Sequence, residues 1–173
     1  VFSAASSGHS DIYLYTPRTR QSQRITNDYF DDLDAKYVEV RGDRGILFSS
    51  NRTDTLLENR SLDTILPINT FDLYYYNLDQ DLNELVRVTN TPLANEHQPM
   101  AVESIYFSYL SDRRGIYNRE MARLEDFIHH YEQTIYLTDG TEIVLHAEST
   151  LEKLDTSLID TVEVYPIPRT RAI

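Results

Sequence analysis

Carboxylates and guanidiniums recur at matching places along this 173-residue chain. Asp11 and Asp72 each open an Asp-apolar-Tyr string, and Arg52 and Arg113 each close a Ser-x-Arg string. A carboxylate facing a guanidinium can bind a polar substrate or steer a proton. A residue needed once for catalysis, however, has no reason to return in every copy of a repeat. Recurrence assigns these four side chains to the turns between strands, held by charge-assisted hydrogen bonds.

Other constellations carry less. His129 and His130 are neighbours, so on a helix they point about 100° apart and cannot readily share a metal. Glu125, His129 and His146 lack any ligand spacing such as His-Glu-x-x-His, and His9 and His97 fall in loops, exposed to solvent. Ser7-Gly8-His9-Ser10 brings Ser and His together without the Gly-x-Ser-x-Gly elbow of a serine nucleophile. No glycine-rich phosphate loop or dinucleotide fingerprint occurs, and nothing singles out a glycosidase pair among the 28 acidic residues. Asp31-Asp32-x-Asp34 lacks the Gly and distal Glu of a Ca²⁺ loop, and reads as a solvated inter-strand turn. The expectation is a chain that is not an enzyme, with no catalytic residue, no metal site and no cofactor.

Composition narrows the partners. A net charge of -12 opposes unassisted binding to nucleic acid or to an anionic membrane, because both require neutralising Lys and Arg. No stretch approaches the roughly 20 apolar residues that span a bilayer, so no direct membrane insertion is expected. Without cysteine there is no disulfide, thiolate metal site or thiol nucleophile. The 13 Tyr against no Trp, clustered with β-branched residues in short runs, point to strands.

Those strands come in a repeat. Val1-Phe2-Ser3, Asp11-Ile12-Tyr13 and Arg24-Ile25-Thr26 return as Phe48-Ser49-Ser50-Asn51-Arg52, Asp72-Leu73-Tyr74 and Arg87-Val88-Thr89. The opening phrase comes back as Tyr106-Phe107-Ser108, followed by Ser111-Asp112-Arg113-Arg114-Gly115. Phe2 and Phe48 are 46 positions apart and Phe48 and Phe107 are 59 apart; the excess is a polar surface loop at 53–70. Four short strands per 40–50 residues is the spacing of a β-propeller blade. Ile12-Tyr13-Leu14-Tyr15 and Tyr74-Tyr75-Tyr76 lack strict alternation, as expected for a sheet covered on both faces.

The spacing predicts an all-β chain: a partial β-propeller of about three four-stranded antiparallel blades forming one domain. Residues 1–34 end a first blade, 35–90 form a second carrying the loop 53–70, and 91–173 form a third carrying an insertion at 119–160. Pro17-Arg18-Thr19-Arg20 and Arg41-Gly42-Asp43-Arg44 supply turns. Within the insertion, Met121, Leu124, Ile128 and Tyr131 at steps of three, four and three predict a helix over 119–131. Asp139-Gly140 predicts a hairpin, Leu151, Leu154 and Leu158 a second short helix, and 162–167 a strand ended by Pro166 and Pro168.

The recurring apolar-Phe-Ser-Ser-x-Arg, Asp-apolar-Tyr and Arg-apolar-Thr strings resemble the TolB-like propeller repeat over residues 1–118. The inner-strand Pro-x-Trp-Ser-Pro-Asp-Gly motif of that family is reduced here to Gly42-Asp43 and to Pro99. The third copy, 106–119, resembles a variant in large cell-envelope proteins of Bacteroidetes, some of which stand beside secretion machinery. That resemblance implies a non-enzymatic protein-interaction scaffold in the periplasm or cell envelope. Its partners would be other cell-envelope proteins and the rest of its own propeller. The alternative it implies is a gating or substrate-binding propeller of a peptidase or carbohydrate-active hydrolase whose catalytic domain lies elsewhere.

Asp54-Thr55-Leu56, Asp63-Thr64-Ile65 and Asp160-Thr161-Val162 look like the acceptor for O-glycosylation of exported Bacteroidetes proteins, which marks Thr55, Thr64 and Thr161. Asn51 matches an N-glycosylation pattern but lies inside the repeat, where a structural role is expected. The insertion is the segment that departs most from the repeat. Met121, Leu124, Phe127, Ile128 and Tyr131 are therefore the expected partner-binding side chains.

Overall fold

Runs of β-branched and aromatic residues broken by Gly, Asp and Asn give strands throughout. The computed structural model describes residues 1–6, 8–58, 70–80, 82–145 and 156–172. The chain is all-β, with several small antiparallel sheets, and no α-helix or closed propeller is present among the described residues. The first sheet is β1 (Phe2–Ser6), β2 (His9–Thr16) and β3 (Gln21–Arg24), in that order. The second is β4 (Asp32–Val40), β5 (Asp43–Ser50), β6 (Asp72–Asn77) and β7 (Val86–Arg87). A third begins with β8 (Glu96–Ala101), β9 (Tyr106–Ser111) and β10 (Asn118–Leu137).

The turns expected at 17–20 and 41–44 are present. Arg41 and Gly42 have φ of 55° and 92°, the two positive values that a tight β4–β5 hairpin requires. The β2–β3 turn closes with Arg20 N–H donating to the Thr16 carbonyl at 2.9 Å.

The second sheet is packed on both faces, which is why its strands read as nearly continuous apolar runs. Along β5 and β6 the side chains alternate. Ile46, Phe48 and Tyr74 join Ile12 and Ile25 of the first sheet in one core. Leu47, Leu73 and Tyr75 join Phe107, Tyr109 and Leu124 of the third sheet region in another. Two cores thus share one sheet, at about 25 cal/mol per Å² of apolar surface withdrawn from water.

Two compact units divide the chain: residues 1–125 with 171–173, and residues 126–170. In the first, β10 pairs with β9 from Asn118↔Ser111 to Arg123↔Tyr106. In the second, β10 pairs with β11 (Glu142–Leu145) from Gln133↔Leu145 to Tyr136↔Glu142, and β12 (Ile159–Ala172) also pairs with β10.

The helix expected over 119–131 is therefore a strand. Of its supposed stripe only Leu124 is buried, beside Ala122 two residues away, which is strand periodicity. Pairing with β9 and β11, together with Phe127, Ile128, Tyr131, Thr134 and Ile135, overrides the weak helical spacing. The Asp139-Gly140 hairpin is present, with Gly140 at φ 84°. Leu158 ends a single 3₁₀ turn, Thr156–Leu158, while Leu151 and Leu154 lie outside the described residues. β12 runs on through Pro166 and Pro168, because an edge strand tolerates residues that cannot donate to a ladder.

Candidate functional site

The polar residues of the repeat pair within each sheet, at the ends of neighbouring strands. In the first sheet, Asp11 opens the buried half of β2 and Arg24 ends β3, so their side chains meet across the pair. Arg24 Nη2 donates to Asp11 Oδ2, and Arg24 Nε donates to the Thr26 carbonyl at 3.1 Å. The Thr26 hydroxyl accepts the Ile12 N–H at 2.9 Å. The second sheet repeats this atom for atom. Arg87 Nη2 donates to Asp72 Oδ2, Arg87 Nε to the Thr89 carbonyl at 3.2 Å, and Leu73 N–H to the Thr89 hydroxyl at 2.8 Å.

Arg52 follows β5 and turns inward. Its Nη2 donates to both oxygens of Asp32 at 2.8 Å and to Asp28 Oδ2 at 3.1 Å. Its Nε donates to Ser50 Oγ at 3.0 Å and its Nη1 to the Leu56 carbonyl at 2.7 Å. The rings of Phe30, Phe48 and Tyr74 stand 5.5, 5.5 and 5.6 Å from the guanidinium carbon. Tyr74 Oη donates to the Arg52 carbonyl at 3.0 Å.

Burial sets the electrostatics. It pushes the Asp28 carboxyl up to about 6, against the pull of Arg52. Asp11 is raised by burial too, with Arg24 opposing. Burial opposes the Arg52 charge, but Asp32 and Asp28 hold its pKa above the ordinary value. Glu96 replaces Asp32 at the start of the third sheet: Ser50 pairs with Asp32, and Ser111 pairs with Glu96. Among the described residues no guanidinium bonds Glu96. Its carboxyl accepts from Thr89 Oγ1 at 3.0 Å, Ser111 Oγ at 3.2 Å and Thr91 Oγ1, and burial raises its pKa.

The chain matches no protein-family model, no curated protein and no solved structure.

Each repeated carboxylate is engaged by an arginine. Asp11 and Asp72 meet Arg24 and Arg87, not Arg52 and Arg113. Arg52 is a core residue, whereas Arg113 bonds Glu120 at 2.9 Å near the surface. Asp31, Asp32 and Asp34 do not form the solvated turn expected of them. Asp32 is fully buried on Arg52, Asp31 Oδ1 accepts the Ser10 N–H, and Asp34 Oδ2 accepts the Gln98 N–H at 3.1 Å. His97 is likewise engaged, 3.3 Å from Asp34 and against the Phe71 ring, and His9 packs against Tyr29. Asn51 does serve structure, its Oδ1 accepting the Asp31 N–H at 2.8 Å.

Among the other marked residues, Glu125 bonds Arg171 at 2.9 and 2.7 Å. His146 and Thr64 lie outside the described residues, and only the backbone of His129 is described. Thr55 is half-buried with its carbonyl accepting the Leu85 N–H, and Thr161 is exposed in β12. Of the five apolar residues expected to bind a partner, Leu124 is in the core and Phe127 half-buried. Met121, Ile128 and Tyr131 are more than half exposed, at 61, 52 and 55%. The five alternate along one strand and so do not form a single face. Asp28 and Glu96 were not singled out from sequence; a carboxylate beside a repeated Thr or Ser phrase is the only signal they carry.

Proposed function

We propose that this chain is a non-enzymatic interaction scaffold, a segment of a TolB-like propeller in a bacterial cell-envelope protein. The observation that supports it most is the engagement of the repeated charged residues. Asp11, Asp72, Arg24, Arg87, Arg52 and Asp32 are held in ion pairs between neighbouring strands of a sheet, where they fix structure and offer no open acid, base or nucleophile. A rigid frame of this kind leaves recognition to what departs from the repeat. Here that departure is the unit 126–170, whose strands expose Ile128, Tyr131, Val162, Val164 and Tyr165. Tyrosine supplies contact area at low entropic cost.

The test is photo-crosslinking in the native cell with a reactive amino acid placed at Tyr131 or Val164, combined with fractionation. The expected result is a discrete adduct to a second envelope protein, recovered with the envelope fraction. Recovery in the cytosol, or a complete gene product carrying a hydrolase domain with its own nucleophile elbow, would remove this reading.

A further inference from the structure

β4 and β8 each form an edge of their sheet, and each is interrupted at the same place. Register shifts between Leu33 and Lys36, and between His97 and Met100, mark two β-bulges. Asp32 pairs with Ser50 and Glu96 with Ser111, so Asp34 and Gln98 hold equivalent positions two residues further on. Both have left-handed backbone, with φ of 56° and 50°, which a residue with a Cβ adopts at a cost. The bulges face each other. Asp34 Oδ2 accepts the Gln98 N–H at 3.1 Å and lies 3.3 Å from His97 Nδ1.

A cleft of about 540 Å³ is lined by Asp34, Lys36 and Tyr37 of β4 and by Gln98, Met100 and Ala101 of β8. Lys36 and the Gln98 side chain are exposed and bond nothing among the described residues. Tyr37 and Met100 are 49 and 51% exposed. An extended peptide fits this place poorly. Adding a strand needs an unbroken row of edge N–H and C=O groups, whereas both edges are bent by a bulge and Pro99 has no N–H.

Charge narrows the ligand further. An anion would meet the Asp34 carboxylate, and a cation the Lys36 ammonium. A neutral molecule whose hydroxyls both donate and accept suits the two together, and the Gln98 amide offers one group of each kind. A pyranose also carries an apolar C–H face, which matches Tyr37 with Met100 and Ala101 beside it. The backbone points the same way. Glycine would adopt either bulge freely, yet the chain places a carboxylate and an amide there, and strain of this kind gathers at ligand sites.

We infer that the cleft between the bulges of β4 and β8 binds a neutral saccharide of one or two pyranose rings. This site and the scaffold role rest on different residues, so either can fail without the other.

Chemical-shift titration of the full chain with maltose, cellobiose and N,N′-diacetylchitobiose tests it, with glycine and acetate as the zwitterion and anion. At least one disaccharide should bind saturably, with a Kd of about 1 mM or tighter, and move the amides of Tyr37, Gln98 and Ala101. Glycine and acetate should not. Lys36→Met and Tyr37→Ala should each weaken binding at least about tenfold. Gln98→Gly removes the amide and relieves the left-handed backbone. It should weaken binding by a similar factor while unfolding at a temperature no lower than the parent's, a separation that a purely structural residue would not give. Lys36→Met, at an exposed position, decides alone should Gln98→Gly fail to fold. No saturable shift with any of the three sugars overturns the inference. So does binding indifferent to Lys36→Met, or a stronger response to glycine or acetate than to the sugars.

Discussion

Arg52 and Asp32 meet with both carboxylate oxygens 2.8 Å from one guanidinium nitrogen, and neither side chain touches solvent. A buried pair of this kind is weak as a source of net stability but expensive to break, since either partner alone is a charge without water. Arg52→Met leaves Asp28 and Asp32 buried and uncompensated. Its unfolding free energy should fall by about 3–5 kcal/mol. Arg113, at the matching place in the third copy, is nearly half exposed on Glu120, and Arg113→Ala should cost under about 1 kcal/mol. Urea unfolding of the two variants checks this; equal losses would mean that burial does not distinguish the two arginines.

Asp28 titrates in the opposite sense to a typical ion-paired carboxylate. Burial raises its pKa from 3.8 to about 6, so the folded state binds its proton more tightly than the unfolded state does. Its contribution to stability is fully present below 3.8 and is lost as pH rises through about 6. Asp28→Asn cannot make that gain. Between pH 7 and pH 4 the variant should lose stability relative to the parent, with a slope approaching about 1.4 kcal/mol per pH unit. Urea melts at three pH values in this window measure the difference, and a difference that stays flat or grows toward acid pH in favour of the variant would contradict it.

Asp72 ties three elements at once. It accepts from Arg87 and, through Oδ1, from the Thr91 N–H at 3.1 Å. Asp72→Ala strands the Arg87 guanidinium and the Thr91 N–H together. A loss of about 2 kcal/mol is expected. Unchanged thermal and chemical stability would return this residue to the list of candidates for chemistry.

The sequence carried the strands, the turns and the two-faced packing of the second sheet, because each rests on local signals: Gly42 with Asp43, Asp139 with Gly140, and unbroken apolar runs at Tyr74–Tyr76. It carried the structural role of the repeated charges but not their partners. Arg24 and Arg87 sit one strand away from Asp11 and Asp72, and which Arg reaches which Asp depends on strand register, which no spacing rule supplies. The region after Asn118 was misread for a related reason. Met121, Leu124, Ile128 and Tyr131 satisfy a helical stripe by chance, and only β9 lying alongside reveals that Ala122 and Leu124 are the inward pair.

Gly45 and Tyr75 show how closely the second sheet is filled. Gly45 opens the buried half of β5, and the Tyr75 ring lies across it from β6. A Cβ at this position would stand 2.7 Å from the ring Cζ and the hydroxyl, with Cε2 nearer still. The glycine is therefore required by the ring and not by backbone freedom. Tyr75 is itself packed in the core with Leu47, Leu73 and Phe107, so it cannot swing aside without opening that cluster. Gly45→Ala should destabilise the chain by about 2 kcal/mol through overpacking. Adding Tyr75→Leu removes the clash, so the double variant should be more stable than the sum of the two single losses predicts, by about 1 kcal/mol or more. A double-mutant cycle in urea measures this coupling. If the losses simply add, the ring is not what keeps residue 45 a glycine.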